Sequence, residues 1–368
     1  MGNVPNLRFP EFSGEWENCQ IANILSIGSG RDYKHLEKGN IPVFGTGGYM
    51  TSVNECIYDG ETTFIGRKGS INKPFYYNGK FWTVDTLFYT HSFNKTTPKF
   101  VYCLFQTINW LRYNEASGVP SLSKDTIEKI KVFIPQLDEQ RKISEMLSVI
   151  DERIATQNKI IEKLQSLIKG LIDDIITLKC GQLVAFETLY SKAGEGGTPT
   201  TSNTEFYDNG SIPFIKIDDL SNKYLSANKD YITELGLKKS SAWLIPTHSI
   251  IYSNGATIGA ISINKYPVCT KQGILGIVPN TNIDVEFLYY FMQSSYFQKE
   301  VERVVTEGTM KTAYLKDINH IKCPIPDLDR QKEISHLLSV LSLKEDVERQ
   351  LLQKYQIQKQ YLLRKMFI

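Results

Sequence analysis

Short segments of this chain combine long cationic side chains with amides, hydroxyls and glycine. Contact with phosphates and base edges needs those groups: cations for phosphate oxygens, amides and hydroxyls for base edges, glycine where backbone must come close. In the first half they hold Arg31 and Lys34 (residues 30–34), Thr46 (45–49), Arg67, Lys68 and Ser70 (66–70), and Ser121 and Lys124 (117–124). In the second half they hold Thr198 and Thr200 (196–202), Lys216, Asn254 and Thr257 (253–257), Lys271 and Gln272, and Thr309 and Lys311 (306–311). Any one of these also has the composition of an ordinary turn. What sets them apart is that they recur in matched places with different side chains, Arg67-Lys68 standing where a later copy has Asn254-Gly255.

Catalytic chemistry finds no comparable foothold. There is no GxxxxGK[ST] phosphate loop and no GxGxxG between a strand and a helix, and Gly45-Thr-Gly-Gly48 reads as a glycine-rich turn. His35, His91, His248, His320 and His336 stand alone, without ligand spacing or a nucleophile. The Asn-Pro-Pro-Tyr and Asp-Pro-Pro-Tyr tetrapeptides of amino-methyltransferases are missing. Six scattered cysteines form no Cys-x-x-Cys pair, so they read as buried free thiols and not as a zinc site. The chain has the form of a positioner.

The elements that must do the positioning are written twice. PQLDEQRKISEMLSVID (residues 135–151) returns as PDLDRQKEISHLLSVLS (326–342), 191 positions on. Upstream the echo is weaker: Gly39-Asn-Ile-Pro-Val answers Gly210-Ser-Ile-Pro-Phe at an offset of 171, and FVYCLFQ (100–106) answers FLYYFMQ (287–293) at 187. The second copy thus carries extra residues in its globular part, whereas the segments after Pro135 and Pro326 match without a gap.

Those segments read as long helices. From Asp138, a candidate N-cap, to Leu178, a heptad seam runs through Ile143, Leu147, Ile150, Ile154, Ile161, Leu164, Ile168, Leu171, Ile175 and Leu178, broken only by Gln157. The second, from Asp329 to about Met366, places Ile334, Leu338, Leu341, Leu352, Tyr355, Leu362 and Met366 on the equivalent seam, with Glu345 and Glu348 interrupting it. A 3.5-residue period signals a coiled coil and not a helix lying on a globular core. Gln157 and Glu348 fall at one level of the repeat; a register-fixing pair and two solvent-facing residues are both open readings. Each helix follows a domain of short β-prone runs (62–65, 75–77, 212–217, 249–252, 259–263) and short helices (99–113, 285–304). About 41 helical residues span about 60 Å, more than the roughly 40 Å of such a domain. The chain returns more easily to an antiparallel partner, with its C-terminal end beside the first domain.

With 368 residues, 41% of them apolar, two cores fit, and the divisions expected are 1–135, 136–180, 181–326 and 327–368. A net charge of +2 excludes a uniformly positive coat but not local phosphate-binding clusters. No apolar run reaches the roughly 18 residues of a membrane span, and MGNVPNLRFPEF lacks the form of a signal segment, so a soluble cytoplasmic protein is expected.

The pattern resembles the specificity subunit of type I restriction-modification systems. It rests on IGRKGSI (65–71) with Asp85-Thr-Leu, GGTPTTSNTEFYDNGSIPFI (196–215), SNGATIG (253–259) and the paired IPQLDEQRKI and IPDLDRQKEI openers. The resemblance implies an α+β chain whose two mixed, strand-rich target-recognition domains stand at opposite ends of an antiparallel two-helix coiled coil with a pseudo-two-fold axis. It implies that each domain reads half of a bipartite duplex DNA site, that the helices set the spacer, and that two methyltransferase (M) subunits and restriction (R) translocase-nuclease subunits assemble on the scaffold. S-adenosylmethionine, ATP and Mg would then belong to those partners, with no cofactor on this chain. The first domain departs from the pattern, having Gly28-Ser-Gly-Arg31 in place of Gly-Gly-Thr-Pro. A different class of function stays in view, a coiled-coil adaptor whose end domains bind other ligands and not DNA.

Overall fold

Two long helices, Leu137–Thr177 and Leu328–Met366, carry two strand-rich domains in an α+β architecture. The computed structural model describes residues 2–177, 182–255, 257–306 and 311–368; Leu178, Cys180, Thr309 and the side chain of Ile175 lie outside them. The chain divides into two units, Met1–Lys159 with Arg349–Ile368, and Ile160–Glu348. Each unit therefore contains part of both long helices.

In the first unit six strands stand in the order Ser26–Ser29, Leu87–His91, Tyr58–Gly66, Phe75–Thr83, Lys38–Gly45, Gly48–Val53. Gly60 and Gly79 face each other in the central hairpin at φ 143° and 132°, a conformation only glycine adopts cheaply. The hairpin curls there, so the rings of Phe64 and Phe81 lie 4.7 Å apart although they belong to different ends of the ladder. Beneath the sheet, the helix Pro98–Thr107 buries Phe100, Val101, Leu104 and Phe105 in a core shared with Trp16, Trp110, Ile143, Leu147, Met366 and Phe367.

The second unit repeats this frame register for register. Val43↔Trp82, a parallel pair, reappears as Phe214↔Cys269; Phe64↔Tyr89 reappears as Ile251↔Gly276; Cys19↔Val132 reappears as Val184↔Cys323. Asp230–Ile232 takes the place of the Gly48–Val53 strand, Phe214↔Asp230 matching Val43↔Thr51, and the additional residues form Tyr224–Leu225 and the helix Glu234–Lys238 on either side of it.

Within the first unit the helices run antiparallel. Asp151 pairs with Lys359 at 2.5 Å and the Arg153 guanidinium lies 6.0 Å from the Tyr355 ring, so numbers rise on one helix as they fall on the other. Phe367 stacks on Phe100 at 5.5 Å, which brings the C-terminal end to the first domain. In the second unit Ile168, Leu171 and Ile172 share a core with Ile334 and Leu338.

Several expectations need correction. Asp138 is not the N-cap: the helix begins at Leu137, Asp138 lies in its first turn, and Gln136 accepts the Gln140 N–H at 3.0 Å. The second helix begins at Leu328 and not at Asp329, and Asp327 caps it by accepting the Arg330 N–H at 2.9 Å. The seam is not confined to helix–helix contact: Ile143, Leu147, Ile334 and Leu338 sit in the domain cores, because each helix starts on its own domain. Ile150, Gln157 and Ile161 are buried, Ile154, Leu164, Leu341, Leu352 and Tyr355 half-buried. The helix expected over 99–113 ends at Thr107 before a separate turn, Trp110–Tyr113. That over 285–304 breaks at Ser294, whose hydroxyl caps a new helix by accepting the Phe297 N–H at 3.1 Å. Of the described cysteines, Cys103, Cys269 and Cys323 are buried, but Cys56 is exposed and Cys19 half-buried.

Candidate nucleic-acid interface

The loops of the first domain converge on the ends of the curled sheet. Arg31 is held by its backbone, N–H to Thr83 O at 2.8 Å and O from Trp82 Nε1 at 3.0 Å, which leaves its side chain exposed. Arg67 and Lys68 both donate backbone N–H to Thr86 O, at 2.8 and 3.2 Å, and Leu122 N–H donates to Arg67 O at 2.9 Å. Lys68 bridges Ser121, and Gly69 N–H donates to Pro120 O at 2.8 Å. A Cβ on Gly69 would lie 3.8 Å from Thr46 Oγ1, and one on Gly66 would lie 2.5 Å from Ser70 O. Arg31, Thr46, Arg67, Lys68, Ser70 and Ser121 are thus gathered about these strand ends. Lys34 and Lys124 are exposed beyond them, Lys124 pairing with Glu128 at 3.5 Å. His91 is kept below its usual pKa by burial and then by the charge of Lys124.

In the second domain the hub is Gly273. Its carbonyl accepts the N–H groups of Asn254 and Gly255 at 3.1 and 3.2 Å, while its own N–H reaches Glu195 Oε1 at 2.8 Å. Gln272 N–H donates to Thr198 Oγ1 at 3.3 Å and Lys271 N–H to Ile215 O at 3.0 Å, so Lys216 emerges beside Lys271. Thr200, Lys216, Thr257, Lys271, Gln272 and Lys311 are exposed and Thr198 half-buried. Lys216 is engaged, its Nζ 2.8 Å from Asp230 Oδ1.

The two rims share one scaffold. Arg67 and Lys68 bonded to Thr86 correspond to Asn254 and Gly255 bonded to Gly273, and Leu122 on Arg67 O corresponds to Ala313 on Asn254 O at 2.9 Å. At Gly30 a Cβ would strike Val84 O at 2.0 Å, and at Gly196 Thr270 O at 2.2 Å, so both glycines mark the same close backbone approach. One backbone frame carries Arg-Lys in one domain and Asn-Gly in the other.

One expected contact changes role, and another is partly engaged. Asn254 is fully buried, its Nδ2 donating to Ala313 O at 3.1 Å, so its side chain supports the loop and does not project from it. Arg67 is half-buried, its guanidinium 5.8 Å from the Phe88 ring and 3.4 Å from Asp85 O.

The family described as type I restriction modification DNA specificity domain matches residues 13–166 and 190–355, once over each copy. The chain belongs to this family. Among specificity proteins it is 28% identical over 259 residues to the EcoR124I/EcoR124II specificity subunit of Escherichia coli, covering 67% of this chain and 63% of that one. It is 22% identical over 371 residues to the HindI specificity subunit of Haemophilus influenzae, covering 79% and 77%. It spans just under two thirds of the length of the Escherichia coli relative. The solved S subunit from M. genitalium shares the fold at a TM-score of 0.66, with 16% identity over 99% of both chains. No helix among the described residues is long and apolar enough to cross a membrane.

Sequence reasoning missed the residues that join each specificity domain to its helices. Arg8 grips buried Glu139 through Nε and Nη2 at 2.8 and 2.7 Å, and Trp16 Nε1 adds a third bond at 3.3 Å. Lys223 donates to Glu286 and Ser339, each at 2.8 Å, and to Tyr290 at 3.2 Å. Burial alone would raise the Glu286 pKa, but hydrogen bonds from Lys223, Ser339 and Tyr224 hold it below the usual carboxylate value. No local pattern marks these partners, which are 53 to 131 positions apart in the chain.

Proposed function

We propose that the chain is the DNA-reading subunit of a type I restriction-modification complex, each mixed domain reading one half of a bipartite duplex target. The observation that carries this is the shared backbone frame presenting different side chains, since two readers of one design that see different half-sites need the same support and different contacts. The exposed Arg31, Lys34, Lys68 and Lys271 would take phosphates, and Thr46, Ser70, Ser121, Thr198, Thr200, Thr257 and Gln272 base edges or sugars. The long helices set the spacer and dock two M subunits, which transfer methyl from S-adenosylmethionine to adenine N6; a flipped base requires the duplex to be held in register with their pocket. R subunits, with ATP and Mg, add translocation and cleavage. This chain works in the cytoplasm, where that DNA lies.

Mapping adenine methylation genome-wide in cells with and without the gene tests this. One split motif with a fixed gap should disappear with the gene. An unchanged methylation map in a cell that holds the M subunit would refute it.

A further inference from the structure

The glutamine that closes both Pro-x-Leu-x-x-Gln openers is buried in the two copies, Gln140 at 0% exposure and Gln331 at 1%. Each makes the same three bonds to backbone, and Gln140 Oε1 in addition accepts the Thr96 hydroxyl at 3.0 Å. Gln140 Nε2 donates to Pro135 O and Lys95 O, both at 2.8 Å, and Oε1 accepts the Thr97 N–H at 3.1 Å. Gln331 Nε2 donates to Pro326 O at 2.8 Å and Asn282 O at 3.2 Å, and Oε1 accepts the Asp284 N–H at 2.9 Å. Thr97 and Asp284 are equivalent too, each being the N-cap of its domain's buried helix, Pro98–Thr107 or Val285–Phe291. One side chain thus ties the first turn of a long helix to the proline two residues ahead of it and to the cap of a helix inside the domain. Both amide donors and the acceptor are used, and in a buried site each of them would be costly to leave unmatched.

Burial of an apolar residue would fill this place but would not fix a direction. Two donors and one acceptor aimed at three backbone groups do fix it, at the point where the helix leaves its domain. The leverage is large: a helix of about 60 Å tilted by about 5° at its base moves its far end by about 5 Å, more than the roughly 3.4 Å rise of one base pair.

We propose that Gln140 and Gln331 are positioning residues that fix the angle between each DNA-reading domain and its long helix, and thereby the spacing tolerated between half-sites. This rests on the DNA-reading function proposed above. The test uses the assembled methyltransferase complex and duplexes carrying the mapped target with its natural spacer or one base pair more or less. In Gln140→Leu and Gln331→Leu, initial methylation rates on the natural and altered spacers should converge, the ratio falling about tenfold, a loss of about 1.4 kcal/mol of discrimination. Gln140→Glu, which keeps the shape but turns an oxygen toward two carbonyls, should behave likewise.

Leu147→Ala, which loosens the same core without touching the clamp, should keep the ratio. An unchanged ratio in both leucine variants, even with lower total activity, would show a purely stabilising role and overturn the proposal. Should those variants not assemble, Gln331→Asn keeps the amide but shortens its reach, and an unchanged ratio there has the same meaning. Amide hydrogen exchange at Thr97 and Asp284 should accelerate in the variants with or without DNA; no acceleration also overturns it. If the unmodified complex methylates no split site, the DNA-reading function fails, while the exchange result still reports on the clamp.

Discussion

Lys271 and Lys216 emerge side by side in the second domain, yet their removal should affect DNA binding differently. Lys271 is exposed and has no ion pair among the described residues, whereas Lys216 holds Asp230 at 2.8 Å. A lysine that neutralises one phosphate adds about 0.9 to the slope of log affinity against log salt. Lys271→Ala should therefore flatten that slope by about 0.9. Over a fourfold rise in salt, the advantage of the unmodified chain then shrinks by about 3.5-fold. Lys216→Ala removes a cation already spoken for by a carboxylate, and its slope should stay within about 0.3 of the parent. Fluorescence anisotropy of a labelled target duplex, titrated with the assembled complex at about 50, 100 and 200 mM KCl, measures all three slopes. Equal slope changes for the two variants, or none for Lys271→Ala, would refute the assignment of phosphate contact from exposure and pairing.

Three further outcomes follow from buried polar contacts. Glu139→Ala leaves Arg8 and Trp16 Nε1 without their shared acceptor; a loss of about 2 to 4 kcal/mol should appear in urea unfolding followed by tryptophan fluorescence, and an unshifted midpoint would contradict it. Because Glu286 is held below the usual carboxylate value in the folded chain, it contributes stability that is present above the unfolded value and lost as pH falls through the lower folded one. Lys223→Met removes one of the three hydrogen-bond donors and the facing charge while burial still pushes the carboxyl up, so the gain in melting temperature from pH 4 to pH 7 should shrink in calorimetry. Burial pushes the thiols of Cys103 and Cys323 up to about 12 and Cys269 to about 11, so their share of stability is whole below pH 9 and is lost above it. At about pH 8 alkylation read by peptide mass spectrometry should mark exposed Cys56 and spare those three, and early labelling of Cys103 would count against the packing.

The duplication, the two long helices and their antiparallel sense were legible because all three leave periodic or repeated marks in the sequence. Where the heptad template was read too strictly it failed at Ile172, which is buried because the helix there lies across a domain core and presents a broader stripe. Asn254 departs from its residue type for a different reason. Its residue type suits a base edge, but the backbone bonds to Gly273 and Ala313 turn it inward, and those partners are remote in sequence. Gln140 was visible as an identity between the repeats, though not as a clamp, since its partners at Lys95 and Thr97 come from another element. Arg8 with Glu139 left no mark, being one arginine and one glutamate 131 positions apart.

The make-up of the two units has a consequence for synthesis. The second unit, Ile160–Glu348, is one unbroken stretch, but the first closes its core around Trp16 and Phe100 only with Met366 and Phe367. On a ribosome adding about 5 to 20 residues per second, the first domain waits on the order of 10 to 40 seconds for that closing strip. The later-made unit is thus free to finish before the earlier one. In the interval the nascent first domain lacks the Phe367 ring that stacks on Phe100.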